Sequence, residues 1–171
     1  MTEKEKQKKE KKERAEKIKK IRENKLIRKK RVAHLFMLGN LFKNAGMDHL
    51  DEETLIGYCL SFQKINPLKI NQYKIIGNKI LIEKEIERQE KAKKIKNIML
   101  GLEKIEVDIN FNKEEFKKKI FKLGIIFEMT KIDTVEVATL IGFILDFKNK
   151  NDLEKKNFYF DGKLFKLERE K

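Results

Sequence analysis

The sequence predicts a mainly α fold of the α+β class: two tandem helix-helix-β-hairpin repeats, with a charged N-terminal helix and a connecting helix. Three observations lead to this prediction. One segment recurs later in the chain at a constant offset, apolar residues follow helical spacing, and each copy ends in short β-prone runs around a glycine.

The repeat is the strongest feature of the chain. Residues 36–62 align with residues 121–147 without a gap, and 11 of the 27 positions are identical, among them Gly39/Gly124. One such unit is too small to bury much apolar surface, whereas two can pack their apolar faces together. We therefore predict a pseudo-two-fold arrangement that resembles a covalent dimer, with a helix over residues 83–104 joining the copies.

The chain begins with a strongly basic segment, residues 1–31, which we call the arm. It carries 16 Lys and Arg against 6 Glu, so it holds +10 of the net charge of +14. Lys, Glu, Arg and Ala favour helix, and Glu-to-Lys pairs four residues apart support it. Because apolar residues are few, the sequence predicts a solvated helix.

Repeat 1 is assigned to residues 32–82. Its first helix begins near Val32 and ends at Gly46, a residue typical of helix C-termini. Asp51 precedes the second helix, "EETLIGYCLSF", and is predicted to cap it. The recurring Asp48 and its equivalent Asp133 are also interpreted as caps.

A β-hairpin is predicted to close each repeat. Residues 72–82 contain two β-prone runs around Gly77-Asn78, and residues 157–167 contain a similar pair around Asp161-Gly162. Residues 83–110 form the connecting helix, and residues 111–171 form repeat 2.

Glycines recur inside the predicted helices, where each costs about 1 kcal/mol relative to Ala. Gly39 and Gly57 of repeat 1 have equivalents at Gly124 and Gly142. A close approach of the two helices of a repeat would compensate for this cost.

The sequence predicts no enzyme and no cofactor. His34 and His49 do not recur in the second copy, and Cys59 lies on an apolar helix face. No metal-binding or phosphate-loop motif is present. The single cysteine, the charged N-terminus and the lack of a long apolar run predict a cytoplasmic protein with no membrane segment.

A basic arm attached to nearly neutral repeats predicts a polyanionic partner, most simply the phosphate backbone of DNA. A Lys-rich arm does not distinguish DNA from RNA, so an RNA-associated protein is an alternative. A protein interaction module without nucleic-acid binding is another. The oligomeric state stays open. The candidate DNA-binding residues are Lys8, Lys9, Lys11, Lys12, Lys19, Lys20, Arg28, Lys29, Lys30 and Arg31.

The stretch "KKRVAHLFMLGNLFKNAGMDHLDEETLIGYCLSF" resembles the small TraD family of conjugal transfer proteins found with plasmids of the Ti type. The resemblance rests on the basic run Lys29-Lys30-Arg31, the Leu-Gly helix, the stop near Gly46 and the Thr-Leu-Ile-Gly helix. It implies an accessory protein of plasmid conjugation that acts near the relaxase and the transfer origin. The second copy keeps the Leu-Gly and Thr-Leu-Ile-Gly elements and departs at the stop.

Overall fold

The computed structural model describes residues 3–99 and 113–170, with side chains described for residues 14–95 and 113–170. Within these residues all regular structure is helical, and no strand occurs. The α-helices are α1 (Glu3–Asn44), α2 (Glu52–Ser61), α3 (Pro67–Met99), α4 (Lys113–Met129), α5 (Val137–Asp146) and α6 (Asp152–Arg169). Short 3₁₀ turns, Phe62–Lys64 and Phe147–Asn149, extend α2 and α5.

The predicted β-hairpins are wrong, and the fold is all-α rather than α+β. Residues 72–82 lie inside α3, and residues 157–167 lie inside α6. The connecting helix is not a separate element, because α3 runs without a break from Pro67 to Met99. Residues 100–110 of the predicted connection lie outside the described residues.

The glycines explain why the hairpin prediction failed. Gly77 faces the backbone of Ala138 in α5, and Gly162 faces the backbone of Glu53 in α2. A side chain at either position would overlap a carbonyl oxygen of the facing helix. Each glycine therefore marks a close contact between two helices, whereas sequence spacing alone suggested a turn.

Helices α1 and α4 form the first of three antiparallel pairs. Gly39 meets the backbone of Ile120, and Gly124 meets the backbone of Leu35. Between these two contacts the residue number rises by four in α1 and falls by four in α4, so the two helices run antiparallel. These glycines do mark close helix contacts, but the predicted approach of the two helices of one repeat is wrong, because each partner helix lies in the other half of the chain.

The other two pairs follow the same rule. Helix α2 packs antiparallel to α6, with Gly57 against the backbone of Phe158. Helix α3 packs antiparallel to α5, with Gly142 against the backbone of Tyr73. These three pairs are the most extensive helix contacts of the described residues. Each half of the chain therefore buries its apolar surface chiefly against the other half.

The core lies between the two halves and is rich in aromatic side chains. The rings of Tyr58 and Phe143 are stacked, with centroids 4.3 Å apart and planes 4° from parallel. The Tyr58 hydroxyl donates a hydrogen bond to the backbone oxygen of Phe143. Ring contacts also join Phe42 to Phe127 at 4.6 Å. Both pairs join residues that lie 85 positions apart in the chain.

The helix ends show which local predictions hold. Gly46 ends α1 with a φ of 71°, as the sequence predicts. Lys131 takes the same left-handed conformation after α4, with a φ of 60°. Asp51 stands at the N-terminus of α2, but its side chain accepts no capping hydrogen bond, so the predicted cap is wrong. Asp48 instead accepts a hydrogen bond at 2.8 Å from the Lys119 ammonium group.

Candidate nucleic-acid interface

The arm forms the first part of α1, which continues into the packed helix pair without a break. At 1.5 Å per residue, the 42 residues of α1 span about 63 Å. Every described residue from Arg14 to His34 is exposed, and the first buried residue is Leu35. Residues 14–30 of the arm are therefore an exposed stretch of helix.

Most of the predicted site residues lie on this exposed helix. Lys19, Lys20, Arg28, Lys29 and Lys30 are exposed. Among the described side chains, no basic group from residue 19 to residue 30 lies within 4.0 Å of a carboxylate. These cations are consequently accessible to a polyanion. The remaining predicted residues before Arg14 are Lys8, Lys9, Lys11 and Lys12; their backbone belongs to α1, and their side chains lie outside those described.

Arg31 differs from the other predicted site residues. Its Nε and Nη2 atoms donate to the two carboxylate oxygens of Glu128, at 2.8 and 2.6 Å. This hydrogen bonding and the charge of Glu128 raise the pKa of Arg31, and the guanidinium group in turn lowers the pKa of Glu128. Arg31 thus joins the base of the arm to the end of α4. Sequence reasoning missed this role because the partner lies 97 residues away.

The opposite end of the α1–α4 pair carries an equivalent contact. Phe116 lies 85 residues after Arg31, and Lys43 lies 85 residues before Glu128. The Lys43 ammonium group lies 3.8 Å from the centroid of the Phe116 ring. A cation therefore closes both ends of the helix pair, by an ion pair at one end and a cation–π contact at the other.

His34 and Cys59 take structural positions. Nε2 of His34 lies 2.8 Å from the backbone oxygen of Asp133, at the position equivalent to the Lys119–Asp48 contact. Cys59 is fully buried, and burial raises the pKa of its thiol, which disfavours the reactive thiolate. Within the described residues, no group of His, Cys, Asp and Glu is arranged to hold a metal ion.

Asp146 is the centre of a polar cluster in the packed part of the protein. Tyr73 donates to it at 2.9 Å, and the ammonium groups of Lys69 and Lys150 lie at 3.4 and 3.2 Å. Burial by itself raises the pKa of Asp146, but the hydrogen bonds from Asn149, Tyr73 and Lys150 outweigh it and lower the pKa to about 2. The cluster joins α3 to the end of α5, and so stabilises the fold.

The structure thus defines an all-α protein of two interlocked halves, from which one long basic helix projects. Comparison with protein families finds a match between residues 26–83 and the family described as conjugal transfer protein TraD. The match covers the end of the arm and the whole of residues 32–82, and it supports the resemblance that the sequence shows. Comparisons with curated proteins and with solved structures found no match. No helix among the described residues is long and apolar enough to cross a membrane.

Proposed function

We propose that this protein is a non-catalytic accessory protein of plasmid conjugation, and that it binds the DNA backbone through the arm. Two observations support the proposal. The TraD match over residues 26–83 favours a role in conjugal transfer. The exposed basic helix favours a polyanion as the ligand, and DNA is the substrate of conjugation. The observation that carries the DNA-binding part is the row of accessible cations from Lys19 to Lys30.

A non-catalytic role is supported by the chemistry of the groups that would otherwise react. The only thiol, Cys59, is buried in the core, and His34 is held by a backbone oxygen. A cytoplasmic location, in a reducing environment, accords with a single buried thiol. We also propose that the second half arose by duplication of the first, because identical residues and core contacts share one constant offset.

The experiment compares the full-length protein with a variant that lacks residues 1–28. Because the deletion ends before the Arg31–Glu128 ion pair and removes no residue described as buried, the helical packing should be retained. We expect circular dichroism to show the same helicity per residue in both proteins. Fluorescence anisotropy should show that the truncated protein has lost most of its affinity for duplex DNA. Undiminished DNA affinity in the truncated protein would show that the binding surface lies on the packed helices and not on the arm.

A full-length control variant removes charge from the arm without removing the arm itself. Replacing Lys19, Lys20, Arg28, Lys29 and Lys30 by Gln keeps the length and helical propensity of the arm but removes five positive charges. This variant should weaken DNA binding nearly as much as the deletion does. If it binds as tightly as the original protein, phosphate contacts from these residues do not carry the binding.

A second candidate function is a protein interaction module, with a relaxase or another transfer protein as the partner. It is favoured by large apolar side chains that are exposed at equivalent positions of α3 and α6. At these positions the exposed fraction ranges from 49% to 77%. The pairs are Leu68/Leu153, Ile75/Phe160 and Ile82/Leu167.

The two functions differ in a direct test. An interaction module predicts no DNA affinity even at low salt, together with binding to the purified relaxase of the same transfer region. Ile75→Lys combined with Phe160→Lys would then abolish that binding, because a charge on each apolar stripe opposes burial. Retained relaxase binding in this variant would exclude the two stripes as the contact surface.

A further inference from the structure

The basic side chains of the arm are spread around most of the helix. Between Arg14 and Lys30 there are nine Lys and Arg and two Glu. With about 100° of rotation per residue, the nine basic positions cover an arc of about 280°. Lys20 and Lys17 stand at one edge of this arc, and Lys19 and Lys30 stand at the other.

The remaining sector of about 80° holds both acidic residues and no cation. Glu16 and Glu23 are seven residues apart, so their side chains leave the helix in nearly the same direction. Both fall in the gap that the basic residues leave open, and the exposed Ile27 lies in the same gap. The arm therefore has one acidic stripe, and the rest of its circumference is basic.

Two apolar side chains stand near the middle of the basic arc. Ile18 and Ile21 are 50% and 65% exposed and touch no core residue. They lie opposite the acidic stripe, on either side of Lys25. Packing against the described residues gives no reason for exposed isoleucines there, whereas contact with an apolar group of a ligand would.

This arrangement fits a groove better than a flat surface. A helix that lies on one phosphate strand uses less than half of its circumference, while a helix between two phosphate strands uses both sides. The major groove of B-form DNA is about 12 Å wide, and a helix with its side chains is about 10–12 Å across. The floor of that groove also presents thymine methyl groups, which accept apolar contacts.

We infer that residues 14–30 lie as a helix in the major groove of duplex DNA. The two edges of the basic arc contact the two phosphate strands, Ile18 and Ile21 face the base edges, and the stripe of Glu16 and Glu23 faces solvent. The inference rests on the proposed function and specifies duplex DNA as the form of nucleic acid that the arm binds. A-form RNA has a deep, narrow major groove that excludes a helix. The arm also has no aromatic residue for stacking on single strands.

The test uses the full-length protein and three ligands of matched sequence in fluorescence-anisotropy titrations. The ligands are plain duplex DNA, duplex DNA whose major groove is filled by glucosylated 5-hydroxymethylcytosine, and duplex RNA. We expect binding to the plain duplex and about tenfold or greater weakening on the other two, because contacts to one or both strands are lost. Netropsin, which fills the minor groove, should change the affinity by less than about twofold.

Paired variants locate the contacts on both edges of the arc. Lys17→Gln with Lys20→Gln removes one edge, and Lys19→Gln with Lys30→Gln removes the other. Each pair should reduce the slope of log K against log salt by about 2, since each phosphate contact contributes about 0.9. Ile18→Ala with Ile21→Ala should weaken binding without changing the slope. Glu16→Gln with Glu23→Gln is the matched control and should not weaken binding.

The outcomes separate this inference from the proposed function. Equal binding to the plain and the glucosylated duplex, or a slope that only one edge variant reduces, would overturn the major-groove placement while leaving DNA binding intact. Failure to bind any of the three ligands at low salt would overturn both.

Discussion

Gly77→Ala separates two opposite expectations for the same glycine. At an unobstructed helix position, the change would stabilise the protein by about 1 kcal/mol through helix propensity. In this structure, a methyl group at Gly77 overlaps the backbone oxygen of Ala138 on α5. No side-chain rotation relieves an overlap with backbone, so α3 and α5 must move apart.

The size of the effect follows from what the separation disturbs. The α3–α5 seam includes the Tyr73 hydrogen bond and the Lys69 ion pair with Asp146. Overpacking of this kind costs typically about 1–3 kcal/mol, occasionally more, beyond the gain from propensity. We expect a net destabilisation of about 1–2 kcal/mol. Thermal unfolding followed by circular dichroism should show a fall in Tm of about 2–4 °C per kcal/mol.

The neighbouring residue provides the matched control. Asn78 is exposed in the same helix, so Asn78→Ala should be neutral or stabilise by up to about 0.7 kcal/mol. Gly162→Ala, at the equivalent contact of α6 with Glu53, should repeat the loss seen with Gly77→Ala. A Gly77→Ala protein that melts at the original temperature or higher would refute the close contact.

Three further predictions concern single side chains. Lys131→Gly should stabilise the protein by about 0.5–1 kcal/mol in urea unfolding, because Lys131 has a left-handed backbone with a φ of 60°; an unchanged midpoint would contradict this. Asp146 has a pKa of about 2 in the folded protein against 3.8 ordinarily, so its stabilisation is present above about pH 4 and is lost as the pH falls toward 2. The lowered pKa of Asp146 contributes about 1–2 kcal/mol to the free energy of unfolding after allowance for partial exposure. Asp146→Asn should remove this contribution when the stability is measured as a function of pH in acid. Cys59 should react with a thiol reagent only as fast as the protein unfolds, and rapid reaction of the native protein would contradict its burial.

The sequence predicted the helices that have a clear apolar face. The segments around Leu38 and Leu55 and their equivalents are helical, and Gly46 ends its helix as expected. These predictions succeeded because helical spacing and a C-terminal glycine are local signals. The helical arm was also predictable, since its composition favours helix and excludes a core.

Prediction from the sequence failed where the local structure depends on a contact with a residue far away in the chain. Ile75, Ile76 and Ile82 lie on α3 but are exposed, so the apolar residues of this segment do not mark one buried face. A short apolar run with a glycine is then indistinguishable from a hairpin. Only the position of α5 shows that Gly77 is a contact between helices. The ion pair of Arg31 was hidden for the same reason, because Glu128 belongs to the other half.

The salt dependence of duplex DNA binding tests the proposed role of the arm most directly. Not all the cations can contact phosphate at once, and about four to six contacts correspond to a slope of about −4 to −5 in log K against log salt. We predict this slope for the full-length protein and a slope near zero, with little binding left, after deletion of residues 1–28. A slope that the deletion leaves unchanged, or full-length binding that does not respond to salt, would contradict a phosphate-binding arm.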